Sequence, residues 1–507
     1  MNWFITDNSA PSAELARIPE LSYAEFYAQL CAELENPACH LGELFAMREQ
    51  ESRLRIFALL LDDTTSQVKI CSYVYPYYCE DELPSIAARH PQAHPFEREI
   101  SELYGIRFSD SPWDKPLRYP ARRAVQGNTI DNYPFYKMEG ESLHEVNVGP
   151  IHAGIIEPGA FRFICHGEKV LHLEIALGFQ HRGVEEEFLR TDNRLRQTLL
   201  AESIAGDTAV AHATAFAAAI EKLSDCPPDP HSNLDRERAV ALELERMAMH
   251  IADTGALCMD IGYQLGQVAC EALRTMTINT TQIWCGNRFG KGLIRPFGSH
   301  YHIDQEMIRT IRSNVAEIKR RYNEVRENLK DTPSVLARFE QCGEVSLSQM
   351  TRIGGVGVAA KASGLCRDVR WSHPWGEYLR IGHRPIVKRQ GDIMARLTTR
   401  CREVLQSAEY IDDLLSAMTH DERPTPAPRF DTRLAPLSLA FSLVEGWRGE
   451  ICHCAVTDRQ GALACYKVKD PSMHNWLALA LAVRGAGISD FPINNKSFNL
   501  SYCGHDL

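Results

Sequence analysis

Residues 235–257 read DRERAVALELERMAMHIADTGAL, and their spacing is that of a long α-helix. Leu242, Arg246 and Met249 follow one another at steps of three to four residues, so they share one helical face. Two later stretches have the same character: EALRTMTINTTQIWCGN (271–287) and QEMIRTIRSNVAEIKRRYNEVRENL (305–329). The sequence therefore predicts a mainly helical domain after Arg182.

Strands are predicted on both sides of this helical part. VNVGPIHAG (146–154) and AFRFICHGEKVLHLEIAL (160–177) indicate a strand pair with Gly167 and Glu168 in the turn. A late pair, SLVEGWRGEICHCAVTD (442–458) and ALACYKVKD (462–470), precedes a final helix in HNWLALALAVRG (474–485). These short strands predict a small β-hairpin layer against the helices.

Residues 1–108 have the pattern of a separate α/β unit. SYAEFYAQLCAELENP (22–37) has helical spacing, RLRIFALLLDD (53–63) and VKICSYVYPYY (68–78) are typical strands, and HPFEREISELYGIRF (94–108) adds a second helix. Residues 109–145 lose this periodicity and are rich in Pro, Gly, Asn and aromatic residues, which is typical of a linker lying on a surface. The predicted class is α+β: a unit at 1–108, a linker at 109–145 and a mainly helical domain with its hairpin layer at 146–507.

The amino-acid composition argues against several classes of function. Lys plus Arg is 55 and Asp plus Glu is 66, giving a formal charge of −11, which argues against a general nucleic-acid binder. The most apolar runs are too short to span a bilayer, and the N-terminus lacks the features of a secretory signal, so we expect membrane contact only through partners. None of the 16 cysteines forms a C-x-x-C pair, so most are expected to be buried small side chains.

Three groups of motifs carry a family resemblance. HPFEREISELYGIRF (94–108) resembles the signature helix of the C subunit of complex I, the proton-pumping NADH:quinone oxidoreductase. VGPIHAGIIEPGAFRF (148–163) and HLEIALGFQHRGVEE (172–186) resemble the opening of the D subunit of complex I and of the large subunit of energy-converting nickel-iron hydrogenases. Segments from ELERMAMHIADTGALCMDIGY (243–263) to the C-terminus continue the match. The resemblance covers nearly the whole chain as a fusion of the two subunits.

The resemblance also identifies positions where the hydrogenases bind nickel and iron. Their metals are held by two thiol pairs, in C-G-x-C-x-x-x-H and D-P-C-x-x-C motifs, because thiolates are soft anionic ligands. Here AGDTAVAH (205–212) places Ala205 and Thr208 at the first pair, and FNLSYC (498–503) places Leu500 and Cys503 at the second. Three of the four thiols are replaced, so we expect no nickel-iron centre and no cofactor bound by this chain.

Complex I uses the equivalent cavity for quinone. The headgroup is held there by a His in the first hairpin and a Tyr in the helix that replaced the first thiol pair. The matching positions are Ile156 and Gly206, so both quinone anchors are absent. A quinone in the vacated cavity would need other polar contacts.

The proton-handling residues of the family remain. The Glu of the IIEPG segment, taken as a proton gate in energy-converting hydrogenases, is Glu157. We expect His152, Asp207, His212 and Asp253 near the same cavity. Two simpler interpretations stay open: Glu157 as a buried carboxylate paired with an arginine such as Arg162, and His212 as a helix-packing histidine.

Other motifs are weaker. Cys452 and Cys454 lie on one face of a predicted strand, which could suggest zinc, but two ligands without a second pair favour buried thiols. GNRFGKGLIRPFG (286–298) lacks the spacing of a phosphate-binding loop and is interpreted as a loop against a partner. WRGE (447–450) resembles a family segment that lines the active-site cavity, and its alternative is a surface ion pair.

The resemblance implies a peripheral-arm subunit of a membrane-bound, ion-translocating complex with a metal-free cavity. It would contact a small iron-sulfur subunit whose 4Fe-4S cluster faces that cavity, a ferredoxin-like iron-sulfur subunit, a membrane subunit resembling the H subunit of complex I, and antiporter-like subunits. The expected location is the cytoplasmic face of the inner (plasma) membrane. The alternatives are a non-catalytic scaffold and quinone reduction in the vacated cavity.

Overall fold

The computed structural model describes residues 2–76, 81–124, 129–154, 156–224, 232–420 and 424–507. Within them the chain forms a small N-terminal β-sheet unit, two further sheets and a large set of helices. The predicted mixture of α and β structure is thus confirmed. Tyr77 and Tyr78, at the end of one predicted strand, lie outside the described residues.

The N-terminal unit is built on an antiparallel sheet in the order β1-β6-β5-β4, with β3 also pairing along β6. Its first helix begins with a capping box between Ser22 and Glu25, and its second ends at Gly105 in a left-handed conformation. The elements are β1 (Phe4–Thr6), β2 (Ala13–Glu14), β3 (Glu20–Leu21), α1 (Tyr23–Leu34), β4 (Cys39–Gln50), β5 (Arg53–Asp62), β6 (Gln67–Pro76), β7 (Leu83–Pro84), α2 (His94–Tyr104) and β8 (Phe108–Ser109).

Strand β4 is absent from the elements that the sequence predicts. Nine of its residues, from Cys39 to Met47, are buried, so both faces are covered and the alternation of polar and apolar residues is lost. One face meets α2 and the other meets strands from the C-terminal part of the chain. This double contact places β4 at the junction of the two halves.

The predicted hairpin layer is two sheets. The first, ordered β11-β10-β9, has its turn at Gly167 and Glu168 as predicted. In the second, ordered β14-β13-β12-β2, the late stretch 442–458 is two strands and not one, with a tight turn at 446–449. The strands are β9 (Leu143–Val148), β10 (Ala160–His166), β11 (Lys169–Ala176), β12 (Ser438–Glu445), β13 (Glu450–Thr457) and β14 (Leu463–Lys469).

The helical part is centred on one long helix, α6, which packs along α7 and α14. Almost all of α6 is buried, charged residues included, so its neighbours surround it. The helices are α3 (Val184–Leu189), α4 (Arg194–Ser203), α5 (Ala209–Leu223), α6 (Leu234–Asp260), α7 (Gln264–Cys285), α8 (Gln305–Lys330), α9 (Pro333–Phe339), α10 (Leu347–Arg352), α11 (Gly357–Ala362), α12 (Val369–Ser372), α13 (Tyr378–Ile381), α14 (Ile393–His420), α15 (Ser472–Ala482), α16 (Phe491–Phe498) and α17 (Tyr502–Asp506).

The two halves share secondary structure. Strand β2 leaves the N-terminal unit and pairs with β12 of the C-terminal sheet. The Asn8 side chain, just before β2, donates to the carbonyls of His373 (3.0 Å) and Leu443 (2.9 Å) and accepts from Leu443 N (3.0 Å). The boundary at residue 108 stays a prediction. Residues 8–14, which precede that boundary, form contacts with the C-terminal sheet.

Part of the predicted linker packs on the rest of the protein. Lys115 forms an ion pair with Glu174 of β11, and Trp113 stacks on His94 at a centroid distance of 5.0 Å, so this part of 109–145 lies against the protein.

Among the helices of the described ranges, none has the length and apolarity needed to cross a bilayer.

Candidate functional site

The first former ligand segment forms the entry to α5. Thr208 is the N-cap residue, and both Ala205 and Thr208 are buried. The Thr208 hydroxyl does not cap the helix; instead the carboxyl group of Glu245, on α6, accepts from Val210 N (2.8 Å) and Ala211 N (3.3 Å). Glu245 therefore supplies the acceptor that the exposed N–H groups of a helix start require.

The second former ligand segment lies between α16 and α17. Asn499 ends α16 in a left-handed conformation (φ 45°), and Ser501 caps α17 by accepting from Gly504 N at 2.9 Å. Leu500 is buried in an apolar cluster with Phe161 and Tyr502. Leu500 therefore packs as an ordinary core residue.

Arg448 joins the two segments. Its guanidinium donates both Nη atoms to the Asp207 carboxylate (2.7 Å each), Nη1 to Thr208 Oγ1 (3.1 Å) and Nε to the carbonyl of Asn499 (2.6 Å). Its carbon lies 4.0 Å from the centre of the Trp447 ring, and the side chain is buried. A cation thus fills the contact between the segments that carry the four thiols in the hydrogenases.

Neighbouring elements fix the turn that carries Arg448. Arg246, on α6, donates to the carbonyls of Glu445 (2.6 Å) and Gly446 (3.1 Å). Trp447 Nε1 donates to the Asp207 carbonyl at 2.9 Å. Because Arg246 is itself buried and paired with Glu243, the turn is anchored to the centre of the helical core.

The electrostatics favour the charged form of this pair. Burial alone raises the pKa of Asp207, but Arg448 outweighs it, and the pKa lies below its ordinary value. Burial opposes the charge of Arg448, but Asp207, with Asp470 and Asp253 farther off, raises the Arg448 pKa above its ordinary value. Asp253 in turn accepts from Arg400 Nε (2.8 Å). Asp207 therefore keeps its charge at neutral pH.

The donor set does not fit a nickel-iron centre. Ala205 and Leu500 offer no ligand atom, and the Thr208 hydroxyl is hydrogen-bonded to Arg448. Burial raises the pKa of the Cys503 thiol to about 12, with Glu157 adding to the rise, so the remaining thiol stays protonated. A centre that requires anionic sulfur would here meet one neutral thiol and a guanidinium.

Two of the predicted proton-handling residues lie near this site and differ in their contacts. Glu157 is half-buried, and its Oε2 accepts from Cys503 N at 3.3 Å. His152 is turned back onto its own loop, with Nε2 2.9 Å from the carbonyl of Gly159. Arg162 pairs with Glu145 on β9 (2.7 Å), so it is not the partner predicted for Glu157.

The quinone-anchor positions are exposed. A side chain at Gly206 would meet no atom within 4 Å, and Ile156 is 44% exposed. Glu157, Cys503 and the Asp207 side chain, which is 37% exposed, are also partly accessible. Glu157, Asp207 and Cys503 are named here the 157–207–503 cleft, after the active-site cavity that the family resemblance assigns to these positions; both carboxylates lie near enough to raise the pKa of the Cys503 thiol. Ile155, in the same hairpin loop, lies outside the described residues.

His212 belongs to a buried chain of hydrogen bonds and not to the cleft. Its Nε2 lies 3.2 Å from Asp470 Oδ2, and its Nδ1 lies 3.0 Å from Nε2 of His453. His453 Nδ1 lies 2.8 Å from the hydroxyl of Tyr466. All four side chains are buried, which agrees with His212 as a helix-packing residue.

Sequence reasoning misses the partners that complete the site. The surface ion pair considered for WRGE is wrong, because Arg448 is buried, and Glu450 pairs instead with Lys469 (2.6 Å). In the sequence, the two glycines of GWRG indicate the turn that carries Arg448, because glycine permits the tight turn at 446–449. In the 286–298 loop, Arg295 pairs with Glu202 of α4 at 2.6 Å, so part of this loop packs on its own chain.

Two family models match the chain. Residues 21–134 match the 30 kDa subunit of respiratory-chain NADH dehydrogenase, and residues 260–436 match its 49 kDa subunit. The two matched regions follow one another in the order expected of a fusion. The first contains α2, the helix with the C-subunit signature, and the second runs from the end of α6 through α14.

Curated relatives come from both complex I and the hydrogenases. Hydrogenase-4 component G of Escherichia coli is 26% identical over 83% of this chain and 75% of its own length. The membrane-bound hydrogenase subunit alpha of Pyrococcus furiosus is 25% identical over 69% of this chain and 84% of its own length. The C/D subunit of NADH-quinone oxidoreductase from Phocaeicola vulgatus is 24% identical over 81% of this chain and 84% of its own length.

The motifs, the domain order and these relatives agree. The predicted fusion is confirmed, because the matched regions of both subunits lie in one polypeptide. The chain thus combines regions matching the 30 kDa and 49 kDa subunits of respiratory-chain NADH dehydrogenase in one polypeptide, and it is similar both to fused C/D subunits and to large subunits of membrane-bound hydrogenases.

Proposed function

We propose that this chain is a peripheral subunit of a membrane-bound oxidoreductase complex whose former metal site has become an ion-pair site that couples electron transfer to ion movement. A small iron-sulfur subunit would place its 4Fe-4S cluster opposite the 157–207–503 cleft. A ferredoxin-like subunit would deliver electrons to it. A membrane subunit resembling the H subunit of complex I, with antiporter-like subunits, would carry the ions, with this chain on the cytoplasmic face.

The observation that carries this proposal is the position of Arg448. Its guanidinium binds Asp207 of the first segment and the Asn499 carbonyl of the second, so the chemistry of the site is electrostatic and not that of metal ligation. The partly exposed Asp207 side chain is open to the field of a partner. Charge added on the facing partner surface would act directly on this pair, because a low-dielectric site screens charge weakly.

The roles of the two cleft carboxylates differ. Asp207 keeps its negative charge through Arg448, which makes it a positioning group for the guanidinium. Glu157 has no arginine among its described contacts; it accepts from the backbone N–H of Cys503 and also contacts the Cys503 thiol. We therefore assign proton transfer in the cleft to Glu157.

The test uses the complete complex. Glu157→Gln and Asp207→Asn are each expected to lower donor-driven ion transport at least about tenfold, the first because it removes the proton-transfer group and the second because it leaves Arg448 without its counter-charge. Asp412→Asn is the matched control, since Asp412 forms an exposed ion pair with Arg312 (2.7 Å) far from the cleft on α14. Full activity in both cleft variants would contradict coupling at this site.

Metal content gives a second, independent test. Elemental analysis of the purified complex is expected to find far less than one nickel per chain. One nickel per chain would contradict the ligand count, because Cys503 would then have to bind metal beside Arg448.

Two other functions have their own supporting observations. A non-catalytic scaffold is favoured by the ion-paired state of Asp207 and the protonated state of Cys503, and full activity of both cleft variants would support it. Quinone reduction is favoured by the open space at Gly206. A quinone headgroup bound between Glu157 and Gly206 would support that alternative.

A further inference from the structure

Two buried thiols from the C-terminal sheet meet a buried carboxylate from the N-terminal unit. Cys452 and Cys454, on β13, point to the same face of the strand, and their Sγ atoms are 3.8 Å apart. Glu43, on β4, brings a carboxylate oxygen so close that the three possible ligand atoms lie within 4.8 Å of one another. Glu43 and the two cysteines are separated by about four hundred positions in sequence and are joined only by the fold.

One oxygen of this buried carboxylate has no hydrogen-bond partner among the described residues. Glu43 is 1% exposed, and its Oε2 has no hydrogen bond within the described part of the chain. The nearby lysines are engaged elsewhere: Lys467 Nζ binds Glu99 (2.8 Å) and Glu185 (2.6 Å), and Lys469 Nζ binds Glu450 (2.6 Å). A buried carboxyl group without a partner is costly, and a cation between it and the thiols would remove that cost.

The distances fit one class of metal. Two thiolates bound at about 2.3 Å to a tetrahedral zinc ion lie about 3.8 Å apart, which is the separation found here. Cysteine sulfur and carboxylate oxygen are both atoms that zinc binds, and two sulfurs make the set too soft for magnesium or calcium. Cys465, on the same face of the adjacent strand β14, is a candidate for a fourth ligand, although its sulfur is not among the atoms that lie within 4.8 Å of one another.

We propose that Cys452, Cys454 and Glu43 form a zinc site that ties the C-terminal sheet to the N-terminal unit. The site is separate from the 157–207–503 cleft and independent of the proposed function, since its ligands belong to the opposite face of β13 from His453. Its role would be structural. A metal bound only by the folded chain stabilises it, and this one would hold β4 against β13.

The experiment measures zinc in the full chain, expressed with zinc and purified without added metal. About one zinc per chain is expected, and X-ray absorption at the zinc edge should give two sulfur ligands at about 2.3 Å. Cys452→Ala with Cys454→Ala is expected to lower the zinc content at least tenfold. Cys258→Ala with Cys270→Ala is the matched control, because these two thiols are equally buried in the helical core and should leave zinc unchanged.

Glu43→Gln keeps both thiols and changes a single atom, so it tests the site even if the double variant fails to fold. A competing chelator is expected to remove zinc from the Glu43→Gln chain at a chelator concentration at least tenfold lower than the unaltered chain requires. The unaltered chain should also lose several degrees of Tm when the metal is removed.

Three results would overturn the proposal. The unaltered chain could contain no zinc, or the zinc could persist in the double cysteine variant. A proteolytic peptide that contains Cys452 and Cys454 could also be lighter by two hydrogens without reductant, which would identify a disulfide between them in place of the metal.

Discussion

Arg448 connects two segments of the chain that are far apart in sequence. Metal thiolates would join the segment before α5 to the segment before α17, and the guanidinium makes the same connection through Asp207, Thr208 and Asn499. Its planar fork suits this geometry, because three acceptors in different directions need several fixed N–H groups. The connection is therefore specific to arginine.

Arg448→Lys is expected to lower the free energy of unfolding of the purified chain by about 2 kcal/mol, measured by urea denaturation. An ammonium group cannot reach all three acceptors, and a broken buried pair costs about 3–5 kcal/mol, less here because Asp207 is partly exposed. Arg312→Lys, in an exposed pair with Asp412, should change the value by less than about 0.5 kcal/mol. Equal effects of the two substitutions would contradict this role.

The sequence identifies the site's location better than its chemistry. Motif spacing, which is local information, is enough to predict that Ala205, Thr208 and Leu500 occupy the positions of hydrogenase ligands. Arg448 and Glu43 cannot be found in that way, because their partners lie hundreds of residues away and only the folded chain brings them together. For Glu43 the sequence pattern of a doubly buried strand also hides the strand itself.

At the scale of elements, the start of α5 depends on a side chain from another helix. Glu245 of α6 accepts the N–H groups of Val210 and Ala211, and burial raises its pKa to about 8 from about 4.5. Between these values the folded chain keeps a proton that the unfolded chain has released. The contribution of Glu245 to the free energy of unfolding is thus fully present below about pH 4.5 and is lost as the pH rises to about 8.

Glu245→Gln should remove this pH dependence. Between pH 5 and 7.5 the decline of unfolding free energy with pH is expected to become shallower by up to about 1.4 kcal/mol per pH unit, the effect of one proton. Urea denaturation at several pH values measures the slope. Glu317→Gln, at an exposed position on α8, should leave the slope unchanged. An unaltered slope in the Glu245 variant would show that this carboxyl group titrates normally.

The sequence predicts elements correctly where pattern and environment agree. Helices α6, α7 and α8 and the hairpin β10–β11 follow their sequence periodicity closely. The 442–458 stretch resembles one strand in sequence because its buried residues run on through the turn at 446–449. When both faces of a strand are buried, polar and apolar residues no longer alternate along it, and the periodicity that identifies a strand in sequence is lost.

At the scale of the whole molecule, residues 8–14 fasten the N-terminal unit to the C-terminal sheet. Asn8→Ala is expected to cost about 3 kcal/mol in unfolding free energy, because it leaves backbone groups of His373 and Leu443 without partners in a buried position. Asn36→Ala, at an exposed turn where the side chain accepts only from Ala38 N, should cost about 0.5 kcal/mol. A small effect at Asn8 would mean that the segment is held by β2 alone.

A second connection between the halves is ionic. Lys467, on β14, binds Glu99 of α2 and Glu185 of α3, and Arg118 also binds Glu99. Lys467→Met should leave Glu185 without its cation and Glu99 with Arg118 alone, at a cost of about 3–5 kcal/mol.

Differential scanning calorimetry is the measurement for this connection. The unaltered chain is expected to unfold in one transition, and the Lys467→Met chain in two, because the N-terminal unit loses its ionic contact with β14. Lys319→Met, in an exposed pair with Glu409, should keep the single transition. Two transitions in the unaltered chain would contradict strong coupling between the halves.

The crossing of β2 also limits how this polypeptide can be divided by protein engineers. A cut near residue 108 would give a C-terminal fragment whose β12 edge, from Ser438 to Leu443, lacks the strand and the asparagine that cover it. An uncovered strand edge invites pairing with other copies, so such a fragment should precipitate unless a peptide spanning residues 8–14 is supplied with it.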